Sequence, residues 1–383
     1  MKKVRKRFGY PIKKIKSTCK RLMGWSKHPV LQAYRGYLTE EGVYIRGRLV
    51  EDNGLSAPKP NDSWWRNAVA MLKRYFSAGI PDVLVHVSCL GYQLDVITDI
   101  DGYFYIILPA EFLTISEATY WSHYTVSLPE SEPLSIITEN AVGELLNLQE
   151  EQEYGIISDI DDTLLVSHST DFLRKFWLLI RKNAYSRLPF AGAAPFYRAL
   201  QKGVTNNANN PFFYISSSEW GLYDLLSDFC KVRKIPKGVF LLRTLPNSIR
   251  RYIKFQLGNH QHKLFKIREV INAFPKLKFV LIGDSGQHDP ELYQKAVQEF
   301  PNRIQAIYIR DISNEKRTKE VEKIAKLLVQ QNVPICLVQH TKQAAEHAAK
   351  IGLIHKKALE KINYDPPKKL RSTNLLNNEK SRN

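Results

Sequence analysis

Two aspartates, Asp159 and Asp161, stand two residues apart in the string SDIDDTLL at 158–165, directly after the apolar run Tyr154–Ser158. In extended chain, residues i and i+2 project to the same side, and two crowded carboxylates do not both ionise freely unless a cation joins them. The arrangement offers one carboxylate as a metal-bound nucleophile and the other as a proton carrier. Carboxylate oxygens suit Mg²⁺, a hard cation. Three further polar clusters follow in order. Ser216–Ser218 comes after Phe212–Ile215, where the hydroxyls of Ser216 and Ser217 and nearby backbone N–H groups suit phosphate oxygens. Lys263, in HKLFKI, places an ammonium that would neutralise a phosphoryl group in transfer. Asp284 ends an apolar run in GDSGQHDP (283–290) and Asp289 follows in the loop; these acids would complete a magnesium site. Taken singly, each cluster has an ordinary explanation. Asp-x-Asp and Ser-Ser-Ser are common in turns and loops, and Lys263 with Lys266 fits a solvated helix face. The joint order of acid pair, hydroxyl, lysine and acid is what carries weight.

The elements that must position these groups are legible in the same stretch. After Gln149, apolar strand candidates at Tyr154–Ser158, Phe212–Ile215, Val239–Leu242, Phe279–Ile282, Ala306–Ile309 and Ile335–Val338 alternate with helical stretches such as Gly221–Cys230, Lys263–Ala273 and Glu291–Phe300. Unalternated apolar strands separated by helices predict a parallel sheet covered on both faces. Ligands of such sheets sit outside the carboxyl ends of the strands, which is where all four clusters fall. From Leu31 to Leu128 the pattern is mainly β, with strands expected at 43–50, 82–88, 99–108 and 120–128 and one helix at Asp62–Ser77. Short strands with polar turns suggest a β-sandwich of about 100 residues. Thr98–Gly102 reads as a hairpin turn with Gly102 at positive φ; Asp99 and Asp101 fit that turn better than a Ca²⁺ site.

Of the 383 residues, 44% are apolar and 25% charged, the balance of a soluble globular protein. The net charge of +18 is concentrated at the ends: residues 1–28 carry 11 Lys/Arg and no acid, and residues 355–383 carry 8 against 3 acids. The division expected is a basic arm at 1–28, a β-sandwich at 29–149, an α/β domain at 150–355 and a basic tail at 356–383. Basic arms suit an anionic membrane surface or, less well, nucleic acid, and equally suit solvated tails that aid solubility. The four cysteines form no CxxC or Cys/His pair, which argues against a zinc site or disulfide framework and for a reducing cytosol. No run approaches the ~20 apolar residues of a spanning helix, so a cytoplasmic protein, at most peripheral to membranes, is expected.

Several strings are also similar to a known family. SDIDDTLL, FYISSSEWGLYDLL, IPKGVFLLRTL, HKLFKI, FVLIGDSGQHDPELY and IQAIYIRDI resemble the catalytic domain of the actin-patch-type phosphatidate phosphatases, within the haloacid dehalogenase-like superfamily. The resemblance covers roughly residues 150–315, and the β region upstream resembles that family's N-terminal sandwich with weaker motifs. It implies a Rossmann-like haloacid dehalogenase domain in which Asp159 attacks phosphorus and Asp161 protonates the leaving alkoxide, then deprotonates water. Ser216 and Lys263 would hold phosphoryl oxygens. Mg²⁺ would be bound by Asp159, the Asp161 carbonyl and Asp284, with Asp289 near, while Asp162 and Thr163 would be structural. Glu219 departs from the pattern, where proline is expected after the serines.

The implied reaction is Mg²⁺-dependent hydrolysis of a phosphate monoester through an aspartyl-phosphate, with phosphatidate as the leading substrate. A soluble metabolite or a nucleic-acid end is the alternative substrate, and a non-enzymatic adaptor the alternative class. Between the first two α/β strands, Phe172, Leu173, Phe176, Trp177 and Ile180 share a helical face flanked by Arg174, Lys175, Arg181 and Lys182. That stretch reads either as a small cap helix packed on the body or as a basic amphipathic helix in a membrane interface.

Overall fold

Among the described residues, fourteen strands and six α-helices, read from a computed structural model, divide into an antiparallel-rich β half and a parallel α/β half. The structure describes residues 29–51, 78–113, 119–130, 132, 134–135, 138–148, 152–160, 193–243, 259–286, 288–312 and 315–362. The expected helix at 62–77, the amphipathic stretch at 172–182, the basic arm and Asp161–Thr163 lie outside them.

In the β half, strands β1 (Pro29–Ala33), β2 (Gly36–Leu38), β3 (Gly42–Glu51), β4 (Leu84–Cys89), β5 (Tyr92–Ile97), β6 (Tyr103–Pro109), β7 (Trp121–Ser127) and β8 (Ala141–Leu146) form one hydrogen-bonded sheet, with β6 a branch off its main path. Strand β6 pairs along one edge of β3, while β1 and β2 share its other edge; the path continues through β8, β7, β4 and β5. Period-two burial turns one face inward, so that Val85 and Val87 of β4, Phe104 and Ile106 of β6 and Tyr124 and Val126 of β7 share one core. Gly102 has the expected positive φ, 78°, and the Asp99 carboxylate accepts the Asp101 and Tyr103 amides at 2.9 Å each, an Asx turn. The expected hairpin is not formed: β5 pairs with β4 and β6 with β3, so the turn is a corner between strands that do not pair.

The α/β half contains β9 (Gly155–Asp159), β10 (Phe212–Glu219), β11 (Val239–Arg243), β12 (Phe279–Asp284), β13 (Ile304–Arg310) and β14 (Ile335–Val338). All are parallel, in the order β11-β10-β9-β12-β13-β14. The order reverses between β9 and β12, and that point of a doubly wound sheet is where ligands bind. Alternate residues on the strands feed two cores. Ile156, Phe212, Tyr214, Phe240 and Ile282 pack with helices α1 (Ala193–Lys202), α2 (Tyr223–Val232) and α6 (Thr341–Lys350). Ile157, Phe213, Ile215, Leu241 and Leu281 pack with α3 (Asn259–Ala273), α4 (Asp289–Glu299) and α5 (Glu315–Gln330). Burial on both faces explains the unalternated apolar strands. Folded chain continues past Lys356, where a tail was expected: Lys356–Lys361 is a 3₁₀ turn and Ile362 is buried in the first of these cores.

The halves meet through Glu144 of β8, which accepts from Arg35 Nε at 3.0 Å and from Lys237 Nζ. Partial burial would raise its pKa, but those two cations outweigh it and hold the carboxyl below the ordinary value of 4.5. A depressed folded pKa stabilises the fold above the unfolded pKa, and the contribution disappears as pH falls through the folded value. Glu144→Gln is therefore expected to cost about 0.5–1 kcal/mol at pH 7. Denaturant melts of both proteins from pH 7 to 3 should show this gap closing below pH 4.5; a gap that stays constant to pH 3 contradicts the linkage.

Candidate active site

Asp159 is the last residue of β9 and Asp284 the last of β12, so neighbouring strands on either side of the switch point each end in a carboxylate. Asp289 opens α4, where Pro290 occupies the first turn; a helix N-terminus favours both that proline and a negative charge. The carboxylates of Asp159, Asp284 and Asp289 are all buried and offer oxygens within 4.8 Å of one another. Lys263, on α3, is buried too and bonds Asp159 Oδ2 at 2.9 Å and Asp289 Oδ1 at 3.1 Å. Lys266, which fits a solvated face in sequence, is 9% exposed and pairs with Glu269 at 2.7 Å.

Among the described residues, three carboxylates and one ammonium meet at this point. Like charges at such separations repel by on the order of 3 kcal/mol per pair even at an effective dielectric of about 20. The donor set, all oxygen and net anionic, fits a hard divalent cation. The same field reaches Tyr293, whose phenol is held well above its ordinary pKa by burial first and then by Asp289, Asp159 and Asp284. It stays protonated and donates to the Ile282 carbonyl at 2.8 Å.

The serines lie beside the acids at the same edge. In the parallel ladder Ile215 is opposite Asp159, and the Ile160 amide donates to the Ile215 carbonyl at 3.2 Å. Ser216 follows immediately. Its Oγ accepts from the Ser218 amide at 2.9 Å. Ser216, Ser217 and Ser218 are all buried. Asp161 falls outside the described residues, so the first acid pair is represented by Asp159 alone. The five other residues singled out in the sequence, with Ser217, gather at one end of the sheet.

Sequence reasoning missed what holds the loop after Asp284. The Gly286 amide donates to Asp284 Oδ1 at 2.7 Å. Ser285 Oγ donates to Asp311 Oδ1 at 3.0 Å and accepts from the Ile312 amide at 2.9 Å. Arg317, on α5, donates through Nε to the Ser285 carbonyl at 3.1 Å and through its guanidinium NH groups to both oxygens of Glu291. In the string EKRTKE at 315–320, Arg317 looks like one more solvated helix charge. Arg243, buried at the end of β11 in register with Glu219, also went unmarked because its string reads as plain strand.

Residues 154–311 match the family described as phosphatidate phosphatase APP1, catalytic domain, a range that includes every site residue above except Arg317 and Ile312. The chain is 32% identical over 160 residues to phosphatidate phosphatase APP1 of Saccharomyces cerevisiae, covering 42% of this chain and 26% of that protein. It is 26% identical over 224 residues to the uncharacterized protein C29B5.04c of Schizosaccharomyces pombe, covering 58% and 35%. The matched region thus spans about a quarter to a third of these relatives' lengths. A carbohydrate acetylesterase structure from Xanthomonas citri aligns over 82% of this chain and 72% of its own at 9% identity, with a TM-score of 0.24, too low to inform the fold.

Gly283 is the tightest point of the site. A Cβ there would stand 2.5 Å from Asp289 Oδ2 and 2.8 Å from the Tyr293 hydroxyl. Gly283→Ala is expected to cost about 1–3 kcal/mol, the usual range for overpacking, because Asp289 and Tyr293 are fixed by the helix they share. Denaturant unfolding would check it; an unchanged midpoint would mean that the strand end shifts without strain.

Proposed function

We propose that this chain, whose residues 154–311 match the phosphatidate phosphatase APP1 catalytic-domain family, is a divalent-metal-dependent phosphoric monoester hydrolase with phosphatidate as its substrate. The observation that carries the reading is the meeting of Asp159, Asp284, Asp289 and Lys263 at the switch point of the sheet. The strand order and the carboxylate at the end of the central strand support a haloacid dehalogenase-like assignment for the α/β half. The upstream strands, with one enclosed core, support a β-sandwich-like domain.

Asp159, Asp284 and Asp289, with the Asp161 carbonyl, are the groups that would hold Mg²⁺. The bound ion would supply positive charge against the phosphate and the nucleophile. The chain's own groups do the rest. Asp159 attacks phosphorus in line as the ester P–O bond breaks, and the departing alkoxide takes its proton from the Asp161 carboxyl. In the second half, Asp161 takes a proton from water, the hydroxide attacks phosphorus, and the P–O bond to Asp159 breaks to release orthophosphate. Lys263 fixes the Asp159 carboxylate through Oδ2 and, with the Ser216 hydroxyl, faces the oxygens that gain charge in transfer. Positioning and charge stabilisation of this kind supply most of the catalysis of phosphoryl transfer. Ser217 and the buried Arg243 extend the oxygen-binding edge toward β11.

Among the described residues no helix is long and apolar enough to cross a membrane. A phosphatidate substrate therefore calls for contact with a lipid surface, and the basic arm at 1–28 suits anionic lipid at about 1 kcal/mol per Lys or Arg near the surface.

Phosphate release from phosphatidate vesicles, soluble monoesters and 3′- or 5′-phosphorylated DNA would assign the substrate, with turnover highest on vesicles. Asp159→Asn should lower turnover at least ~10³-fold, since it removes the nucleophile; full turnover by that variant would sink the mechanism. Deleting residues 1–28 should weaken sedimentation with phosphatidate vesicles and leave soluble-ester turnover intact. Unchanged sedimentation would remove the arm from membrane binding.

A further inference from the structure

One turn of the β half, Gln32–Tyr37 (QAYRGY), reaches the start of α2, strand β10 and α3. The buried Tyr34 ring stacks on Trp220 with centroids 4.9 Å apart and meets Tyr223 at a tilt of 42°, centroids 4.5 Å apart. The Arg35 amide donates to the Tyr223 hydroxyl at 2.9 Å, and Gln32 Nε2 donates to Asp224 Oδ2 at 3.0 Å. These contacts hold the start of α2. Tyr37 packs against Phe213 of β10 and Phe274 just past α3. Its hydroxyl donates at 3.2 Å to Glu269, the partner of Lys266 on the helix that carries Lys263. From β3 of the same half, the Arg46 guanidinium lies 4.4 Å from the Trp220 ring centroid and 4.1 Å from that of Tyr105.

Trp220 is two residues beyond Ser218, and the chain between needs an anchor. The ladder of β10 with β11 runs regularly to Ile215–Leu241, then breaks and resumes only at Glu219–Arg243. Three serines on β10 therefore span the space of one residue, Leu242, on β11. In a bulge of this kind the ladder no longer dictates where the side chains point. The Ser218 amide to Ser216 Oγ bond fixes the bulge internally, the Glu219–Arg243 pair closes it, and Trp220, 4% exposed, is the next buried side chain beyond that pair.

We propose that Tyr34, Arg46 and Trp220 are positioning residues for the phosphoryl-oxygen-binding serines, so that the β half is a built-in clamp on the active site and not a separable module. The inference rests on the phosphatase reading above. Tyr34 and Arg46 act on Trp220, Trp220 sets the exit of the serine bulge, and the bulge presents Ser216 to the oxygens of the group that Asp159 attacks.

The test uses the full chain, a water-soluble phosphate monoester and orthophosphate as competing ligand. Trp220→Leu is expected to raise both KM and the orthophosphate inhibition constant ~10-fold, within the range that a misplaced binding group costs, and Tyr34→Leu to do the same. Trp220→Phe, which keeps a ring for the stack, should restore both to within about threefold of the original values, since a smaller ring preserves most of an aromatic pair. A role in folding alone would lower the active fraction, and so the apparent kcat, while leaving KM and the orthophosphate constant where they were. Unchanged constants in Trp220→Leu overturn the proposal. Should that variant lose its cooperative melt, Arg46→Gln, which removes only the cation over the ring, decides on the same two constants. A wild-type chain that releases no phosphate from any monoester would overturn the phosphatase reading, and this inference with it; an active wild type beside an indifferent Trp220→Leu overturns this inference alone.

Discussion

Among the described residues, three carboxylates buried around one lysine concentrate like charge that a protein interior does not hold without compensation. Burial disfavours each charge and proximity disfavours them jointly. Lys263 answers part of it by bonding both Asp159 and Asp289. The α4 N-terminus answers another part, since its unpaired amide ends favour a negative charge at Asp289. What remains is an anionic, oxygen-lined position at the edge of a parallel sheet, and that remainder is what a divalent cation and a phosphoryl group would complete together. Sites of this kind are maintained at the expense of stability.

The sheet makes this concentration possible because it places charged groups where backbone is already committed elsewhere. Strands β9 and β12 are buried on both faces by six helices, and their carboxyl ends emerge side by side where the strand order reverses. Gly283 lets Asp289 approach the strand end more closely than any side chain would allow. Arg317 and Asp311, from the next crossover, fix the Ser285 main chain and hydroxyl. The acids are thus held by rigid elements and by a second layer of hydrogen bonds, the condition under which a site keeps its geometry. The β half adds its own constraint through Tyr34, Arg46 and Tyr37, which press on the serine strand and on the lysine helix from outside the sheet.

Much of the α/β half was legible because its physics is local. All six of its strands appear where apolar runs predict them; Asp159 and Asp284 end strands and Asp289 opens a helix, while Ser216 lies in the bulge of β10 and Lys263 one turn into α3. The helices α1, α5 and α6 were not marked. Helix α5 is largely polar with few buried positions, Val321 and Leu328, and α6 faces inward with alanines, so neither of those two has a strong apolar stripe. In the β half only four of eight strands were foreseen. Three-residue β2 is too short to show a period, β5 alternates but is only half-buried on its inner face, and the Thr98–Gly102 turn has correct local chemistry while its flanking strands take other partners. Arg317, Trp220 and Tyr34 were invisible because their roles depend on contacts across long sequence distances, which no window of residues contains.

The central claim is that the clustered carboxylates form a divalent-cation site, and thermal unfolding with and without Mg²⁺ tests it most directly. Without the ion, Asp284→Asn should melt at or above the temperature of the original chain, because it removes one repelling charge. With the ion in ~100-fold excess over its dissociation constant, the original chain should gain about 2.7 kcal/mol and the variant little. An original chain indifferent to Mg²⁺, or a variant that gains as much, would contradict the account.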